Sequence, residues 1–114
     1  MKATIRHLGD VAVIDMVGRL AYANGEGDLK RPIEALLGRG QRRIVLNMEQ
    51  VPSIDSSGIV ELVGCRKKAC EAGAAIRLLN PSPRVRELLA MTQLSDILPI
   101  FDDEEKVLAS FSDG

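Results

Sequence analysis

Aromatic residues are scarce: the 114-residue chain holds two Phe, one Tyr and no Trp. Its core must therefore be built from Leu, Ile, Val and Ala, and stacking platforms for bases or sugars are not expected. Histidine occurs once, and the two cysteines, Cys65 and Cys70, stand five positions apart. On a helix that spacing places them about 140° apart around the axis, which disfavours a disulfide. With so few His and Cys no metal-ligand set is expected, and both cysteines read as small core or near-core residues. No apolar run approaches the roughly 18 residues of a membrane-spanning helix, so no direct membrane insertion is expected. Met1 to Gly9 lacks the apolar region of a signal peptide, so the expected address is cytoplasmic. A net charge of −1 gives no electrostatic ground for binding nucleic acid.

What is present suits a globular fold. Apolar residues make up 46% and charged residues 27%, and the length matches one domain, residues 1–114. Two local charge clusters stand out: Arg39, Arg42 and Arg43, and Asp102, Asp103, Glu104 and Glu105. They read as a solvated loop and an acidic helix start.

Along the chain, Lys2 to Leu8 and Val11 to Val17 read as strands joined at Gly9-Asp10 into a hairpin. Gly18 to Gly27 reads as a loop. Leu29, Ile33, Leu36 and Leu37 share one helical face, with Asp28 placed to cap it and Pro32 in the first turn. Gly38 and Gly40 end that helix. The run Ile44, Val45, Leu46 and Met48 suits a buried parallel strand. A second helix is expected from Ser57 to Ala72, then a strand from Ala75 to Leu79. Ser82 and Pro83 are an N-cap and first helical residue for a third helix, which turns Val85, Leu88 and Leu89 inward. Ile97 to Phe101 reads as a short edge strand, because Pro99 argues against a central one. Asp102 to Phe111 reads as a last helix. The expectation is an α/β fold: a mixed sheet with an N-terminal hairpin and about four helices packed on it.

The segment Val51-Pro52-Ser53-Ile54-Asp55-Ser56-Ser57-Gly58-Ile59 follows a buried strand and opens a helix. Asp55, Ser56 and Ser57 are all good N-cap types at a point where free N–H groups cluster, and Gly58 permits another backbone to come close. An exposed hydroxyl at a positive helix end tolerates a phosphate, since the dipole favours an anion. The same tetrapeptide also serves for ordinary capping, and the residues alone leave both readings open. Ile59, Leu62, Val63 and Cys70 are expected on the buried face of this helix, with Val60, Gly64, Lys67 and Lys68 elsewhere on its circumference. Val60 either faces a partner or packs on a neighbouring loop. Glu61 and Arg66 read as solvated charges, and His7 as a surface or strand-pairing residue. Asp55 beside Ser56 suggests a base next to a nucleophile, but no His or Lys completes a relay. No catalytic residue or cofactor site is assigned, and an enzyme is not expected.

The stretch Ile44-Val45-Leu46-Asn47-Met48, then Val51 and Ile54-Asp55-Ser56-Ser57-Gly58-Ile59, resembles the signature of STAS-domain anti-sigma factor antagonists. Gly73, Ala75 to Asn80, the Ser82-Pro83-Arg84-Val85 helix start, and Leu88, Leu89, Met91, Thr92 and Leu94 continue the likeness over nearly the whole chain. The resemblance implies a single STAS domain in which Ser56 is the phosphate acceptor, supported by Asp55, Ser57 and Gly58. It implies an anti-sigma factor with serine kinase activity as partner and a separate serine phosphatase, the ATP being bound by the kinase. The unphosphorylated form would bind the kinase and release the sigma factor. Ile59, Val60, Gly18 and Leu20 are the candidate partner contacts. The family often has Gly-x-Leu-Asp after its second strand, whereas this chain has Gly18-Arg19-Leu20-Ala21. A STAS scaffold without a switch, in a stressosome or as an accessory subunit of an ABC transporter, would share the same fold.

Overall fold

Two β-rich runs with Gly9-Asp10 between them can close only if the turn allows a left-handed residue, and Gly9 supplies it with φ of +62°. The computed structural model describes residues 2–20, 22–23, 26–27 and 29–112. Strand β1 (Lys2–Leu8) pairs antiparallel with β2 (Val11–Val17), in a register running from Lys2 opposite Val17 to Leu8 opposite Val11. Strand β2 then pairs in parallel with a later strand, Arg43–Gln50.

Between these two strands the expected loop at Gly18 to Gly27 contains a small antiparallel pair, β3 (Tyr22–Ala23) and β4 (Glu26–Gly27). Helix α1 (Lys30–Gly38) follows, burying Ile33 and Leu36 on the expected face. Its N-cap is Leu29, without a side-chain cap bond. The expected cap, Asp28, lies outside the described residues, as does Ala21.

Strand β5 (Arg43–Gln50), helix α2 (Ser56–Glu71) and strand β6 (Ala75–Leu79) make the central βαβ unit. Helix α3 (Pro83–Met91) starts as expected, with Ser82 Oγ accepting from Val85 N–H at 3.3 Å. The last strand, β7 (Ile100–Phe101), is shorter than the expected Ile97–Phe101. Residues Leu94–Asp96 form a 3-10 turn that Ile97 and Leu98 continue, their N–H groups donating to Leu94 O at 3.1 and 2.8 Å, and the chain joins β6 where the Pro99 carbonyl accepts from Leu78 N–H at 2.8 Å. Pro99 has no N–H to give, so the strand begins only after it. Helix α4 (Glu104–Ser112) closes the chain, with Asp103 Oδ1 accepting from Glu105 N–H at 2.7 Å and Lys106 N–H at 3.3 Å.

The main sheet has the order β1-β2-β5-β6-β7, antiparallel at β1–β2 and parallel elsewhere. This is the mixed α/β sheet with an N-terminal hairpin and four helices. Its two faces bury different residues of the same strands. Ala12, Ile14, Met16, Ile44, Leu46, Met48, Ile76 and Leu78 pack with the inner faces of α1, α2 and α3. Val11, Val13, Val45 and Leu79 pack with Val107 and Phe111 of α4. Covering both faces is why β2 and β5 read as nearly unbroken apolar runs.

The margin of the α4 face is polar. Arg6 donates to Asp15 at 2.5 and 3.0 Å and to Glu104 at 2.9 Å, and Asn47 donates to Asp15 at 2.7 Å. The Arg6 guanidinium holds the Asp15 carboxyl below the usual carboxylate range. A depressed folded-state pKa adds stability that is complete above the unfolded value, about 3.9, and is lost as pH falls through the folded one. The melting temperature is therefore expected to fall more steeply below about pH 4 in the wild type than in Asp15→Asn. Parallel pH profiles for the two proteins would contradict this.

Candidate functional site

The site is assembled where β5 ends and α2 begins. After β5 the chain turns, with Val51 N–H donating to Met48 O at 3.0 Å, and Val51 and Ile54 enter the core. Asp55 then takes an extended conformation and caps α2. Its Oδ1 accepts from Gly58 N–H at 3.0 Å and from the Ser57 hydroxyl at 2.5 Å, and its Oδ2 accepts from Arg19 Nη2 at 2.7 Å. The Ser57 hydroxyl, the Gly58 N–H and the Arg19 charge hold the Asp55 carboxyl below its ordinary range. An acceptor so occupied is a poor base, which agrees with capping and orientation as the work of Asp55.

The three hydroxyl residues are thereby distinguished. Ser57 is part-buried and donates into the cap, and Ser53 is part-buried in the preceding turn. Ser56 is exposed at the first position of α2, and the cap does not use its hydroxyl.

The second wall of the site comes from the segment after β2. Gly18 N–H donates to Gln50 O at 3.0 Å, and Leu20 forms an isolated parallel bridge with Ile54. Leu20 is fully buried, so its side chain is core, not an exposed partner contact. Its carbonyl lies against Gly58, where an added Cβ would stand 2.6 Å from Leu20 O and 3.2 Å from Ile54 Cβ. The close backbone approach expected of Gly58 is thus made by Leu20. Of the other candidate contacts, Ile59 is part-buried against the core, Gly18 is part-exposed and Val60 is 63% exposed.

Helix α2 buries Gly58, Glu61, Leu62, Cys65 and Ala69. This rotates the expected face: Val63 is 44% exposed and Cys70 is also exposed. The reason is the Gly58–Leu20 contact, which seats Gly58 against the core and brings positions 61, 62, 65 and 69 inward with it. Both cysteines are free. Burial, with the Glu61 charge behind it, pushes the Cys65 thiol up to about 12, so Cys65 is an unreactive core residue.

Two site residues escaped the sequence. Arg19 reaches Asp55 only because the Leu20–Ile54 bridge brings the two segments together. Glu61, expected in solvent, is 5% exposed and accepts from Leu29 N–H at 2.7 Å. It caps α1 from α2 and so ties the segment after β2 to the helix that carries Ser56. One signal was available, since Glu61 is three residues from Gly58 and four from Cys65 on the same face. Glu61→Ala strands the Leu29 N–H and is expected to cost about 1.5–3 kcal/mol, with Glu61→Gln losing less because an acceptor remains. Urea unfolding of the three proteins checks this, and equal stability of Glu61→Ala and wild type would refute it. Arg66, the other expected solvated charge, donates from Nε to Ile97 O at 3.2 Å at the surface.

The profile of the STAS domain family matches residues 2–107. The anti-sigma F factor antagonist of Paenibacillus polymyxa is 27% identical over 108 residues, covering 95% of this chain and 92% of the relative. Among solved structures, an anti-sigma factor antagonist from Mycobacterium paratuberculosis superposes with a TM-score of 0.80 at 17% identity, covering 96% of this chain and 92% of that one. The Bacillus cell fate determinant SpoIIAA, in its phosphorylated form, superposes with a TM-score of 0.70 at 21% identity, covering 96% and 99%. At these identities the two structures establish the shared fold.

Proposed function

This chain belongs to the STAS domain family, and from that premise we propose that it is an anti-sigma factor antagonist switched by phosphorylation of Ser56. Unmodified, it binds an anti-sigma factor that is also a serine kinase, and the sigma factor is released. The kinase passes the γ-phosphoryl group of its bound ATP to Ser56 Oγ, the hydroxyl proton leaving to a base on the kinase and ADP remaining. A serine phosphatase reverses the change. The chain works in the cytoplasm as a single-domain binding module, with no catalytic residue or cofactor of its own.

The observation that carries this reading is the division of labour at the start of α2. Asp55, Ser57 and Gly58 are engaged in the cap, while Ser56 stands exposed beside them. A phosphate at Ser56 meets helix N–H groups and a favourable dipole end. Val60, 63% exposed one turn further on, gives the partner an apolar contact next to the hydroxyl. The relative in Paenibacillus polymyxa is named an anti-sigma F factor antagonist, and SpoIIAA is known in a phosphorylated form.

The test is to purify the chain with its bound partners from its native cell, incubate it with the recovered kinase and ATP, and map the modified residue. Phosphate confined to Ser57 or Ser53, or recovery of transporter subunits with no kinase, would sink the reading. A companion expectation concerns the fold. Because Asp55 is the cap, Ser56→Ala removes no cap bond and should change stability by no more than about 0.5 kcal/mol. A thermal melt showing a mutant unfolded at room temperature would contradict that.

A further inference from the structure

We propose that Arg19 is the phosphate-binding residue of the switch site: when Ser56 is phosphorylated, its guanidinium leaves Asp55 for the phosphate. The proposal rests on the reading of Ser56 as the modified residue and adds to it a residue outside the Asp-Ser-Ser-Gly motif.

Arg19 stands on a fixed base. On one side Gly18 N–H is bonded to Gln50 O at 3.0 Å, and on the other Leu20 is fully buried, bridged to Ile54 and pressed by its carbonyl against Gly58. The side chain extends from that base to Asp55, the residue directly before Ser56, and meets Oδ2 at 2.7 Å. A phosphate on Ser56 therefore arises one residue from the present partner of Arg19.

Exchange of partners is favoured on both sides. Asp55 does not depend on Arg19, because its Oδ1 already accepts from Gly58 N–H and the Ser57 hydroxyl. The ion pair is solvated, with side-chain exposures of 61% for Arg19 and 36% for Asp55, and pairs of that kind contribute little stability. A phosphoserine brings about −1.5 to −2 charges and three acceptor oxygens, which the guanidinium fork engages better than one partly occupied carboxylate. Another basic side chain near this segment is Arg84, which shares a shallow cleft with Ile54 on the α3 side. No such contact ties Arg84 to Asp55. By holding the phosphate against its own helix, Arg19 keeps the modified residue docked on the domain.

The test uses the full chain with phosphoserine built in at position 56 during translation, so that no kinase is needed. A 31P NMR titration follows the second ionisation of the phosphate in wild type, Arg19→Gln, Arg19→Lys and Arg84→Gln. A cation in contact favours the dianion and lowers that pKa, so its loss raises it. The expected result is a rise of about half a unit or more in Arg19→Gln, a smaller rise in Arg19→Lys, and less than half the Arg19→Gln rise in Arg84→Gln. A rise below about 0.2 units in Arg19→Gln, or an equal rise in Arg84→Gln, overturns the proposal as no more than a screened background charge. Melts of the unphosphorylated variants check that each is folded. The two readings fail separately. A kinase that does not modify Ser56 defeats the switch and leaves the titration standing, whereas a flat titration defeats Arg19 and leaves the kinase reaction standing.

Discussion

Phosphorylation of Ser56 is expected to weaken binding to the proposed anti-sigma kinase by a hundredfold or more while leaving the domain folded as before. The phosphate adds about −1.5 to −2 charges at neutral pH. Within this chain that charge is tolerated, since it sits at the first position of α2, next to the N-terminal dipole and beside Arg19. The cap that holds α2 in place is made by Asp55, Ser57 and Gly58 and does not involve the Ser56 side chain. The domain therefore has no internal reason to rearrange. The penalty falls at the interface, where a dianion replaces a small hydroxyl beside the exposed Val60 and must be desolvated or meet a surface without matching donors. A loss of about 3 kcal/mol there is a factor of roughly a hundred in Kd. Ser56→Asp should give a partial effect, because a carboxylate has less charge and fewer acceptors. Calorimetry on modified and unmodified protein measures the affinity, and amide chemical shifts report the fold. Equal affinities would remove the switch, and shifts spread over the whole sheet would remove the local mechanism.

How much of this was readable in the sequence depended on the range of the interaction concerned. The hairpin, the capped start of α3 and the buried parallel strands were legible, because turn residues, caps and apolar runs act over a few positions. The Ser56 site was legible as a polar helix start after a buried strand. What escaped is what distant segments impose on each other. Nothing in the sequence around Gly18 singles out Arg19, and only the Leu20–Ile54 bridge, 34 positions apart in sequence, sets it on Asp55. The buried face of α2 differs from the one its sequence predicts because Val63 and Cys70 are apolar by type, while the helix is rotated to bury Gly58 and Glu61 instead. Glu61 is tolerated inside because the start of α1 presents the N–H that a buried carboxylate needs. β3 and β4 escape for a simpler reason: two strands of two residues are too short to show periodicity.

Gly58 and Gly64 lie six positions apart on the same helix, and alanine at the two is expected to act in opposite directions. In a helix interior, replacing Gly by Ala normally gains up to about 1 kcal/mol. At Gly64 nothing lies within 4 Å of an added Cβ, so Gly64→Ala should realise much of that gain. At Gly58 the new Cβ would stand 2.6 Å from the Leu20 carbonyl oxygen and 3.2 Å from Ile54 Cβ. The first of these is a backbone atom, held by a buried side chain and a bridge to Ile54, and it cannot swing aside as the end of a long side chain would. Overpacking of this kind costs about 1–3 kcal/mol and outweighs a propensity gain that is smaller in the first turn than in the interior. Gly58→Ala is therefore expected to lose about 1–2 kcal/mol net, and the branched Gly58→Val more. For a domain of this size each kilocalorie moves Tm by about 4–8 °C, so the two alanine variants should melt on opposite sides of the wild type. The strain also reaches the switch, because displacing Leu20 carries Arg19 away from Asp55. Gly58→Ala should then loosen the Arg19–Asp55 pair even at temperatures where it remains folded, while Gly64→Ala, which leaves the contact between Gly58 and Leu20 intact, should keep it. Equal melting temperatures for Gly58→Ala and Gly64→Ala would show that the Leu20 segment yields freely, and the rigid seating of Arg19 would fall with it.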